Sequence, residues 1–202
     1  MAAHPSSRLI LASQSSARQA LLRGAKVEFE ALPANIDERE IEQASRLSDA
    51  PAVAALLAKE KALHVGRAHP DAYVIGADQT LALGPRIFAK AEDLAQARAQ
   101  LKSLCGHTHD LHSAVVVAKG DQILFQSVSI ARMTMRSLND AQVEAYLDLA
   151  GEAVTASVGG YQLEGAGVHL FERIEGDYFT ILGLPLLPLL GFLRGLGLAP
   201  LP

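Results

Sequence analysis

Apolar and polar positions recur with two different periods along this chain, and the switches between them mark its elements. RLILA, Arg8 to Ala12, is a short apolar run of strand type. SQSS, Ser13 to Ser16, is a hydroxyl-rich turn suited to a helix start. Ala17 to Arg23 then reads as a helix, with Gly24 as its stop. VEFEAL, Val27 to Leu32, alternates and predicts a strand, and Pro33 to Glu40 reads as polar loop. Ala50 to Ala68 is a long Ala/Leu helix ending near His69-Pro70. In VIGADQTLAL, the run Ala72 to Ala77 predicts a buried strand with Asp78 and Gln79 set at its end.

Farther along, Ala91 to Leu104 is amphipathic, with Leu94, Ala97, Leu101 and Leu104 at helical spacing. Asp110 to Ala118 and Gln122 to Met135 predict a hairpin across Lys119-Gly120-Asp121. Asp140 to Leu149 reads as a helix before Gly151. A Gly-rich loop, Ser157 to Gly167, leads to a strand, Val168 to Ile174. Glu175-Gly176-Asp177 turns the chain into Tyr178 to Leu182, and a closing helix begins near Pro185. Helices and strands alternate early, and neighbouring strands follow one another in the middle. The expected fold class is therefore α/β, a long mixed sheet with flanking helices.

Composition narrows the picture. The 202 residues suit one domain, or two small lobes sharing a core, so residues 1–202 are read as a single domain. A net charge of −4 argues against duplex nucleic acid as the main partner. A single cysteine, Cys105, allows no internal disulfide and suits a reducing cytoplasm. MAAHPSSRLILAS is too short in its apolar run for a signal core, and no apolar run is long enough to predict a membrane span.

Four polar constellations stand out. Leu11 to Arg18 places hydroxyls, a helix start and Arg18 together, as an anion site would. Asp37, Glu38 and Asp78 could hold a hard cation such as Mg²⁺, or one of them could serve as a base toward water. A carboxylate in an apolar strand is costly unless its charge is needed, and Gly76-Ala77 keep its surroundings small. Lys61 and Lys90 matter if both point toward Asp78. Gly159, Gly160, Gly165 and Gly167 let backbone approach a ligand closely, with Glu164 among them. A fifth cluster, His107, His109 and His112, lacks a completing ligand pattern for zinc.

In this order, LASQSSARQALL, IDE, AKEKA, VIGADQ, Lys90, LCGHTHDLHSAV and VGGYQLEGAGVHLFERIEGDYFTILGLPLLPLL resemble the Maf-like nucleoside triphosphate pyrophosphatases, over about Leu9 to Leu190. The family opening is similar to S-x-S-P-R-R; here the proline and first arginine are missing, so Ser13 and Arg18 carry over. The resemblance implies two α/β lobes around a deep cleft, and homodimers are common in the family. It implies hydrolysis between the α- and β-phosphates of non-standard or modified nucleotides, a house-cleaning activity. Asp78, Lys61 and Lys90 would be catalytic. Glu38 and Asp78 would hold Mg²⁺ or Mn²⁺, with Asp78 acting as base, ligand or both.

The resemblance also implies that base choice follows three positions, here Ala17, Gln79 and Glu164. Gln79 and Glu164 look like the branch acting on 7-methyl-GTP, whereas the dTTP and UTP branch has Arg, Thr and Gln at the three positions. Chemistry agrees: a carboxylate accepts from guanine N1–H and N2–H but faces the carbonyls of thymine or uracil badly. Ala17 departs from the aromatic residue that branch often has. The alternatives are a nucleotide-binding regulator of septum formation with little turnover, and a zinc hydrolase using the histidines.

Overall fold

A computed structural model describes residues 8–201. The start of the N-terminal stretch considered above, through Ser7, lies outside them. In chain order the elements are β1 (Leu9–Leu11), α1 (Ser16–Gly24), β2 (Glu30–Ala31), α2 (Glu38–Ser45), α3 (Ala50–Ala68), β3 (Tyr73–Leu83) and β4 (Arg86–Phe88). Then come α4 (Leu94–Leu104), β5 (Thr108–Lys119), β6 (Gln122–Met135), α5 (Asp140–Ala150), β7 (Phe171–Glu175), α6 (Tyr178–Ile181) and α7 (Leu186–Gly195). The strands form one seven-stranded sheet ordered β2-β1-β3-β5-β6-β7, with β4 paired to β3. β1 is parallel to β2 and β3, whereas β4 and β7 run antiparallel to β3 and β6. This is the expected mixed α/β sheet with helices.

Three expectations before residue 90 need correction. VEFEAL keeps only Glu30 and Ala31 as strand, and Lys26 ahead of it has φ +56°. The polar loop expected up to Glu40 ends earlier: Asp37 accepts from the Glu40 N–H, caps α2, and makes Glu38 its first residue. β3 does not stop at Ala77, because Thr80, Leu81 and Ala82 are also buried and Leu81 to Leu83 pair with β4. Asp78 and Gln79 therefore lie inside a strand.

The chain forms two compact units. Among the described residues one comprises 8–79, 113–129 and 178–201; the other comprises 80–112 and 130–177. In the first, the pleat sorts side chains onto two faces. Leu9, Leu11, Ile75, Ala77, Val115 and Val117 pack with Leu22 of α1 and Leu186, Leu189 and Leu193 of α7. On the opposite face Ala114, Val116 and Ala118 pack with Ala54, Ala58 and Ala62 of α3. Small residues bring α3 close. A Cβ on Gly76 would lie 2.1 Å from the Ala58 carbonyl oxygen and 2.6 Å from the Ala62 nitrogen.

In the second unit α4 and α5 pack together, and Arg98 makes a bidentate pair with Glu144. The Gly-rich segment is not a plain loop. 3₁₀ turns form within it at Val158–Gly160 and from its end at Ala166–Leu170, after another at Gly151–Thr155. Tyr146 Oη donates to the Gly160 carbonyl at 3.0 Å, and Ser157 Oγ donates to the Tyr161 carbonyl at 2.5 Å. The strand expected from Val168 begins at Phe171 instead.

Candidate active site

Alternation along β3 decides what its polar residues meet. Gly76 faces α3, so Asp78, two residues on, faces α3 as well. There Lys61 Nζ donates to Asp78 Oδ1 at 2.5 Å. The same ammonium lies 2.8 Å from Glu38 Oε1, so Lys61 bridges a carboxylate from α2 and one from β3. Asp78 and Lys61 are buried, at 6% and 8% exposure, which keeps solvent from screening the pair. Burial raises the Asp78 pKa above the ordinary aspartate value, against the opposing charges of Lys61 and Arg18.

The SQSS turn supplies the next layer. Ser15 caps α1 by accepting from the Arg18 N–H at 3.3 Å. Ser13 is buried, and its Oγ accepts from the Ser15 N–H at 3.2 Å and from Arg18 Nη1 at 3.3 Å. Arg18 Nη1 also donates to the Ala77 carbonyl at 3.0 Å, and Nε donates to the Gly183 carbonyl at 2.7 Å. Burial draws the Arg18 pKa down against the attraction of Asp78 and Glu38, but a guanidinium stays charged at neutral pH.

The structure thus brings Ser13, Arg18, Glu38, Lys61 and Asp78 together in the first unit. Ala17 lies beside Arg18 in the first turn of α1, half-buried. Gln79 faces away from Asp78, onto the other side of β3. Its Nε2 contacts the carbonyls of Thr180 and Ile181, each at 3.0 Å, and Ser113 Oγ at 2.9 Å. Lys90 and Glu164 belong to the second unit, where both are exposed.

One acid escaped the sequence reading. Glu42 stands one helical turn after Glu38 on α2. Its pKa is raised by partial desolvation and then by the charges of Asp78 and Glu38. The missed signal was the Asp37 cap: once α2 starts there, Glu38 and Glu42 fall on one face. The histidines part company. His107 is exposed before β5, whereas His109 is buried with Nε2 2.7 Å from Tyr161 Oη. Among the described residues no three His, Cys, Asp or Glu side chains form a metal-holding group.

The model of the family described as Maf-like protein matches residues 8–196. The chain belongs to the Maf-like family. A nucleoside triphosphate pyrophosphatase from Bradyrhizobium diazoefficiens is 63% identical over 188 residues, covering 93% of each chain. A 7-methyl-GTP pyrophosphatase from Rhizobium meliloti is 53% identical over 191 residues, covering 94% of this chain and 96% of its own. Among solved structures, a HAM1 protein from Coxiella burnetii aligns with a TM-score of 0.41 and 16% identity, over 64% of this chain and 73% of its own. Among the described residues no helix is long and apolar enough to cross a membrane.

Proposed function

We infer that this Maf-like chain is a nucleoside triphosphate pyrophosphatase, as its relatives at 55–63% identity are named, and we propose a modified guanine nucleotide, 7-methyl-GTP, as its substrate. The bond cleaved is the α–β phosphoanhydride, giving a nucleoside monophosphate and pyrophosphate. The observation that carries this reading is Asp78, a buried carboxylate with a raised pKa, joined to Lys61 and flanked by Arg18. An aspartate titrating higher than usual is a better base toward water, and its partner cations offset phosphate charge.

A divalent cation, Mg²⁺ or Mn²⁺, suits the donor set. Glu38 and Asp78 each present a carboxylate to one point, now taken by the Lys61 ammonium. Mg²⁺ takes one or two carboxylates, waters and substrate phosphate in preference to a closed protein cage. Partial burial raises the Glu42 pKa first, and the nearby charges of Asp78 and Glu38, which a cation would offset, raise it further. Glu38 and Asp78 would hold the ion. When bound it would neutralise phosphate charge and polarise the attacked phosphorus. Asp78 orients the water and takes its proton, Lys61 fixes the carboxylate, and Arg18 with Ser13 meets phosphate oxygens. By family resemblance Lys90 contributes a further cation.

Support for a guanine base comes from Glu164 and from the Rhizobium meliloti relative. A carboxylate accepts from two guanine N–H groups, and N7 methylation adds positive charge that it favours. The test is pyrophosphate release with Mg²⁺ from 7-methyl-GTP, GTP, ITP, UTP and dTTP. Turnover of 7-methyl-GTP should exceed that of UTP and dTTP. In Glu164→Gln the preference should move toward the pyrimidines by about tenfold. An unchanged profile in that variant would remove Glu164 from base selection.

A further inference from the structure

Helix α6 is only four residues long, yet it ends in a complete stop. The Gly183 N–H donates to the Thr180 carbonyl at 3.0 Å, and the Leu184 N–H reaches back to the Phe179 carbonyl at 3.1 Å. These are the paired bonds of a helix stop that hinges on a left-handed residue, and Gly183 has φ +88°. Leu184, the next residue, is fully buried in the core of the first unit, which pins the stop in place. The carbonyl of the same glycine accepts from Arg18 Nε at 2.7 Å, 165 residues away in sequence.

Glycine is needed at this position for two separate reasons. Any other residue would be strained at that φ. A Cβ would also lie 3.2 Å from both Nε and Nη2 of Arg18. That guanidinium has little room to move aside, because Nε is held by the Gly183 carbonyl and Nη1 by the Ala77 carbonyl and Ser13 Oγ. Among the described residues none accepts from Nη2, which leaves that nitrogen for a phosphate oxygen. We propose that Gly183 is a positioning residue for the reaction: its carbonyl and its missing side chain set the plane of the Arg18 guanidinium, so that Nη2 meets the polyphosphate. This rests on the triphosphate reading above, but it concerns only the phosphate half of the ligand and can be tested apart from turnover.

The probe is inorganic tripolyphosphate, titrated by calorimetry into the full chain. Gly183→Ala should bind it about tenfold more weakly than wild type, the size expected when a charged contact loses its alignment. Gly197 supplies the comparison. It closes α7 with the same pair of bonds, at φ +69°, but a Cβ there would meet nothing within 4 Å. Gly197→Ala carries the same kind of backbone strain and should bind tripolyphosphate as wild type does. In an Arg18→Ala background, Gly183→Ala should weaken binding no further, because the group it misaligns is gone. Unchanged affinity in folded Gly183→Ala, an equal loss in Gly197→Ala, or the same factor with and without Arg18 would overturn the proposal. So would a wild type that fails to bind tripolyphosphate. If circular dichroism shows that Gly183→Ala does not fold, the ligand-free wild type still decides. Its Arg18 Nε–H, identified in NMR spectra by its absence in Arg18→Lys, should exchange with solvent about tenfold more slowly than that of the exposed Arg46. Equal exchange at the two arginines would overturn the proposal. The expected affinities without any pyrophosphate release would support the positioning role and count against the pyrophosphatase reading.

Discussion

Asp78 shows how much a single residue's role depends on its partner. An unpaired carboxylate at 6% exposure would cost several kcal/mol and would take up a proton. Lys61 offsets that cost through a 2.5 Å contact, leaving the pKa raised but the group available as a base. Asp78→Asn keeps the shape but cannot accept a proton. Pyrophosphate release should fall by about 10²- to 10⁴-fold, the usual contribution of a positioned base. Unimpaired turnover in that variant would remove Asp78 from the mechanism. The acid and the amide beside it were both conspicuous in the sequence, yet their neighbours were not. Nothing in ADQ says that Asp78 meets α3 while Gln79 meets α6. That follows only from which strand face each helix covers.

At the scale of elements, the site depends on how closely α3 approaches β3. Gly76 permits it, because its missing side chain is replaced by the backbone of Ala58 and Ala62. Gly76→Ala would force the helix away, and neither neighbouring backbone can yield cheaply. Denaturant unfolding should show a loss of about 3 kcal/mol, at the upper end for overpacking. Activity of the folded fraction should drop as well, since Lys61 rides on the displaced helix. Boundaries of α3, α5 and the β5–β6 hairpin were legible because long periodic runs ended at clear stops. α2 was not, because its eight residues bury no side chain and offer no apolar stripe. Its cap, Asp37, falls in a stretch whose pattern reads as polar loop, where a carboxylate suggests a cation ligand as readily as a helix cap.

Across the molecule, buried ionisable groups are not confined to the candidate site. In the second unit His109 sits among Tyr161 and Phe171, with ring centroids 5.7 and 5.9 Å away. Burial pushes its pKa down to about 4 from an ordinary 6.5. The folded state therefore resists a proton that the unfolded chain accepts. The sign follows: this contribution is fully present above pH 6.5 and is lost as pH falls toward 4, by about 3 kcal/mol in all. His109→Gln removes the titrating group. Measured against wild type over that range, it should lack this part of the acid destabilisation, and equal slopes would refute the assignment. The histidine cluster that suggested a metal in sequence is thus, at His109, part of a packed aromatic core.

The sequence alone determined the class of fold and the positions of most long elements, which are set by local periodicity and helix stops. It offered Arg18 and Asp78 as candidates, and the family resemblance added a role for Lys61. Tertiary structure decided the rest. It continued β3 past Asp78, because the strand's far end found a partner in β4. It made Lys61 a bridge between Glu38 and Asp78, brought Glu42 beside them, and turned Gln79 onto the end of α6. Each of these is a contact between segments distant along the chain, and no local pattern encodes which face a distant helix will cover.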